Sequence, residues 1–99
     1  NINEKLKLDL YKILFDSSKD YDTIYHFLMN NFGAEKIYQM IQLLGKDFIE
    51  WIMNSNPNYI DKLFDANYII SDYSSLLETN TDPIVLGMTI IGKLRNLFI

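Results

Sequence analysis

Between Pro83 and Phe98 the chain carries Ile84, Val85, Leu86, Met88, Ile90, Ile91, Leu94, Leu97 and Phe98, and no single helical face can hold them all. A helix that is apolar nearly all round must be covered on most sides, so the rest of the chain has to wrap around this one. Its start is marked by Asp82, a good cap, and Pro83, which suits the first helical position. Gly87 and Gly92 each cost about 1 kcal/mol relative to Ala in a helix interior. Close packing of neighbouring backbones is the expected reason for keeping them. Lys93 and Arg95 mark the expected wet edge.

The covering elements can be read upstream. Leu6, Leu10, Ile13 and Leu14 form one face of a helix over 3–15, which stops at Asp16-Ser17-Ser18. A second, short helix, capped by Asp22 or Thr23, carries Ile24, Phe27 and Leu28 and ends at Gly33, a residue suited to a left-handed backbone. Ile37, Ile41, Leu44, Phe48 and Ile52 then keep a spacing of three or four over 34–53. Gly45 leaves two readings open there: one long helix, or two with Asp47 capping the second. Asn56 and Pro57 open a brief helix with Ile60, Leu63 and Phe64, and another follows over 68–78. The prediction is an all-α fold of about five or six helices, a size that can bury a modest core unaided.

Composition excludes several functions. Thirteen acidic residues against nine basic ones give a net charge of −4, which offers a nucleic-acid backbone no attraction. No apolar run reaches the roughly 18 residues of a membrane span, and no signal-peptide core opens the chain. With no cysteine there is neither a disulfide framework nor thiol chemistry, which fits a reducing compartment. The expected location is the cytoplasm, with the nucleus as a second compartment. The chain does not begin with Met and closes on Leu97-Phe98-Ile99, so the expectation is a piece of a longer protein with a sticky apolar end.

The order from Asn58 to Phe98 resembles an armadillo repeat. It runs from Tyr68-Ile69-Ile70 through Leu76-Leu77 and the Asp82-Pro83 turn to Leu94-Arg95-Asn96-Leu97. The resemblance implies a single right-handed armadillo/HEAT-like α-solenoid fragment spanning 1–99. It would hold an armadillo-like repeat over 57–98 and a looser one over 3–54, with further repeats of the same parent chain as neighbours. Leu76-Leu77-Glu78, Thr81-Asp82-Pro83-Ile84 and Leu86-Gly87-Met88 through Leu94 are similar to one repeat of the 26S proteasome non-ATPase regulatory subunit five family. That likeness implies a protein-protein interaction scaffold, a chaperone of proteasome base assembly that grips a proteasomal ATPase subunit.

No residue set points to chemistry. His26 is the sole histidine, with no companions for a zinc or catalytic set. Asp16, Asp20 and Asp22 lack the Gly and closing Glu of a calcium loop and read as stop and cap signals. The four glycines match no nucleotide-binding pattern. The expectation is a non-enzymatic protein without cofactor, metal, nucleic acid or membrane partner. Candidate protein-binding residues are Asn96, Arg95 and Trp51. In peptide-binding armadillo proteins the Asn of Leu-x-Asn-Leu holds an extended peptide, although Gly92 stands where the family often places a Trp. Trp is enriched at binding hot spots, but Trp51 borders an apolar stripe where partial burial is the default. The alternative functions are a peptide-binding adaptor in transport or signalling, and a helical accessory domain of a larger enzyme.

Overall fold

The computed structural model describes residues 2–99, and every regular element among them is helical. Helix α1 spans Glu4–Ile13, α2 Tyr21–Asn31, α3 Gly33–Leu43, α4 Ile49–Ser55, α5 Leu63–Ser74 and α6 Pro83–Phe98. A five-residue π turn, Leu44–Phe48, joins α3 to α4, and 3-10 segments Pro57–Lys62 and Ser75–Glu78 flank α5.

Helix ends follow from local chemistry. Asn3 accepts from the Leu6 amide at 2.8 Å and Asp82 from the Ile84 amide at 2.9 Å, so each satisfies a first-turn donor that has no partner within its own helix. Pro83 sits in the first turn of α6 as the sequence predicts. At α2 the cap differs from the expectation. Asp20 accepts from the Thr23 amide at 2.8 Å and helix begins at Tyr21, so neither Asp22 nor Thr23 is the cap. Gly33 has φ of 61°, a left-handed backbone at the α2–α3 junction. Asn56 makes no capping bond, and Pro57 starts a 3-10 segment that runs directly into α5. The expected break between Phe64 and Tyr68 is therefore absent.

Gly45 does not break its helix. The chain stays helical from Gly33 to Ser55 through the π turn, which takes up one extra residue while keeping Leu44 and Phe48 buried. A side chain at Gly45 would meet Ile70 Cγ2 of α5 at 3.4 Å, so this turn lies close against α5. Asp47 caps nothing. Its carboxylate accepts from the Tyr11 hydroxyl at 2.7 Å and meets Lys7 at 3.2 Å, tying the π turn to α1. The Tyr11 hydrogen bond, assisted by Lys7, holds the Asp47 carboxyl below the usual carboxylate range. Burial pushes the Tyr11 hydroxyl up, so it serves as a donor and not as an acid.

Helix α6 packs against α2, α3 and α5 and buries Ile84, Leu86, Ile90, Ile91, Leu94 and Phe98, as an all-round apolar helix must. A Cβ on Gly87 would stand 3.3 Å from Ile37 and Met40, so α3 approaches this turn closely through side chains and not through backbone. Gly92 faces the Tyr21 ring at an ordinary 3.7 Å. Six rings, Tyr11, Phe15, Phe48, Trp51, Tyr59 and Phe98, interlock where α1, the π turn, α4, the first 3-10 segment and the end of α6 converge. Phe98 is buried in this cluster and Ile99 is exposed, so the final three residues do not form one apolar face. The Cα radius of gyration is 12.5 Å, the value a globular chain of this length is expected to have. Among the described residues no helix is long and apolar enough to cross a membrane.

Candidate protein-binding surface

The three residues singled out by sequence lie in different environments. Arg95 is only 7% exposed, so it is no part of a wet edge. Its guanidinium donates to the carbonyls of Ile13, Asp16 (3.0 Å) and Lys19 (2.6 Å), and it stacks 5.5 Å from the centre of the Tyr21 ring. A cation is favoured there because the Ile13 carbonyl lies at the C-terminal, negative end of the α1 dipole and the Asp16 and Lys19 carbonyls of the following loop converge on the same point. Arg95 thus fastens the end of α6 to the α1–α2 loop, although its Nε has no partner among the described residues. Trp51 is half-buried, with its ring 5.3 Å from Tyr11 and 5.9 Å from Phe15. Asn96 is exposed and Lys93 with it. No hydrogen bond or ring contact joins Asn96, Arg95 and Trp51 to one another among the described residues.

The α1–α2 loop explains its own acidic cluster. Asp16 accepts from the Ser18 amide and hydroxyl at 2.9 and 2.6 Å, and these two bonds hold its carboxyl below the usual range. Asp20 is lowered in the same way by Thr23. His26 is exposed, with Nε2 3.6 Å from the Asp22 carboxylate. Among the described residues no group of three His, Cys, Asp or Glu side chains is placed to hold a metal ion.

A different surface stands out. Phe64 on α5 is 89% exposed, Tyr68 one turn later is 69% exposed, and Ile60 one turn earlier is 49% exposed. Spacing by four puts Phe64 and Tyr68 on one side of α5, opposite Ala66 and Ile70, which lie in the core, and Ile60 in the 3-10 segment extends this exposed apolar ridge. The ridge is rigidly based, because the buried side of α5 packs on α6 and on the π turn. Asp61, Asp65 and Asp72 flank it, all exposed. On the other flank Asn67, Ser71 and Ser74 line a groove of about 240 Å³ shared with Tyr38, Gln42 and Glu78.

Sequence reasoning missed this ridge. The sequence places Ile60, Leu63 and Phe64 in one brief helix without distinguishing their sides, whereas only Leu63 turns inward, to half-burial. A second apolar row, Tyr21, Tyr25 and Met29 on α2, is more covered, and Tyr21 is engaged with Arg95. No family model, curated protein or solved structure matches this chain.

Proposed function

We propose that this chain is a non-catalytic, protein-binding helical module and that the α5 ridge of Ile60, Phe64 and Tyr68 is the face it presents. The observation that carries this reading is Phe64, an almost fully exposed aromatic on a helix whose opposite side is held in the core. Leaving such a side chain in water forfeits about 1.5–3 kcal/mol of burial, and contiguous exposed apolar rows on soluble proteins mark binding surfaces. Aromatic anchors on rigid supports also dominate interface energetics, since little ordering is needed when they are covered. The solenoid arrangement belongs to the same proposal. It is supported by the order Leu76-Leu77, Asp82-Pro83, Leu94-Arg95-Asn96-Leu97. The narrower role, an assembly chaperone gripping a proteasomal ATPase subunit, rests on that resemblance alone.

A photo-crosslinking amino acid at position 64, in cells of the source organism, tests the reading. A discrete adduct to another protein is expected from position 64 and none from exposed Lys36 on α3. Equal yields from both positions, or no adduct at 64, would show that α5 is not the docking face. A proteasomal ATPase subunit in the adduct would support the narrower role, and any other partner would remove it. The same probe at Asn96 tests the peptide-adaptor alternative.

A further inference from the structure

Resting on that reading of α5, we infer that the ridge receives a basic amphipathic helix. Its apolar side chains would cover Ile60, Phe64 and Tyr68 while its Lys or Arg residues meet Asp61, Asp65 and Asp72. The charge distribution points to this partner. Residues 57–82 hold five acids, Asp61, Asp65, Asp72, Glu78 and Asp82, against Lys62 alone, and the remaining eight acids and eight bases of the chain cancel. The whole net charge of −4 therefore resides in the segment that carries the ridge. Lys62, already counted in that sum, makes no ion pair with the ridge carboxylates, because its Nζ donates to the Leu97 carbonyl at 2.7 Å and lies 6.0 Å from the centre of the Tyr59 ring. Among the described residues the ion pairs of Lys or Arg join Lys5 to Asp9 and Lys7 to Glu4 and Asp47, and His26 is the only other basic side chain within ion-pair reach of a carboxylate, that of Asp22, so the three ridge carboxylates are unpaired.

Geometry favours a helix over an extended peptide. Backbone groups along α5 are spent within the helix and offer no edge for strand addition, so affinity has to come from side chains. A row of anchors about 13 Å long, at helical rise, matches the apolar face of another helix. Asp65 comes one residue after Phe64, about 100° round the α5 axis, Asp61 follows Ile60 by about 120° in the 3-10 segment, and Asp72 lies a turn past Tyr68. Two copies of this ridge face to face would bring like charges together, and an anionic membrane surface would be repelled.

The probe is a labelled helical peptide about four turns long, with leucines on one face and lysines flanking them, monitored by fluorescence anisotropy. A second peptide carries Gln in place of each Lys. Wild-type protein is expected to bind the lysine peptide. Phe64→Ser should weaken that binding at least about tenfold, as loss of an anchor does. The triple variant Asp61→Asn, Asp65→Asn and Asp72→Asn should weaken it roughly three- to tenfold, and added salt should do the same to wild type while affecting the triple variant much less. The glutamine peptide should bind wild type about as weakly as the lysine peptide binds the triple variant. All substituted positions are exposed, so folding is not in question. Equal binding of the two peptides, still lost in Phe64→Ser, would overturn the basic partner and leave the docking face standing. Binding of neither, or binding indifferent to Phe64→Ser, would overturn the face itself. Self-association on sedimentation that disappears in Phe64→Ser would assign the ridge to a second copy and overturn the inference.

Discussion

Ile91→Asp is expected to leave the chain without a cooperative thermal transition. Ile91 is fully buried on α6, the helix against which α2, α3 and α5 all pack. The cluster that contains Ile91 is apolar, and Arg95, one turn on, is already committed through its terminal nitrogens to the carbonyls of Ile13, Asp16 and Lys19. Burying such a group without a partner costs several kcal/mol, whether it stays charged or takes up a proton, and whole domains hold only about 5–15 kcal/mol. Circular dichroism on heating reads the result directly. A soluble, helical variant that melts like wild type would show that α6 is not the central element.

Phe48→Ala should cost about 3–5 kcal/mol, the range for removing a buried ring from a close-packed core. Phe48 stands at the centre of the aromatic cluster, with its ring 5.1 Å from Tyr11, 5.8 Å from Phe98 and 6.2 Å from both Phe15 and Trp51. Its removal loosens four rings from three parts of the chain at once, so collapse into the gap is hard. A domain of this size loses about 4–8 °C per kcal/mol, so Tm should fall by at least about 12 °C. Trp51 fluorescence should move toward that of a solvated indole. A fall of a few degrees would mean that the cluster repacks and that Phe48 is not its keystone.

The legible features of the sequence are periodic and local. The stripe Ile37 to Ile52, the Asp82-Pro83 start and the left-handed Gly33 are signals carried by a few adjacent residues, and all three are found in the fold. Features that depend on distant partners were not legible. Arg95 reads as a surface charge because its partners are backbone carbonyls some eighty positions upstream, and a carbonyl has no sequence signature. Asp47 reads as a cap because its role depends on Tyr11 lying across from the π turn. The π turn itself was visible only as the ambiguity at Gly45. Phe64 reads only as one apolar residue of a brief helix with Ile60 and Leu63, and nothing local distinguishes an exposed apolar side chain from a buried one. The candidate surface therefore emerges only when burial is known.

The most direct test of α5 as the docking face is an NMR titration of the isotope-labelled protein with the lysine peptide, reading every backbone amide. Perturbations are expected to concentrate on residues 60–72, with the neighbouring groove at Tyr38 and Gln42 affected less and α1 unaffected. Perturbations centred on Tyr21, Tyr25 and Met29 of α2, or spread evenly over the chain, would contradict the assignment of the Ile60, Phe64 and Tyr68 ridge as the binding surface.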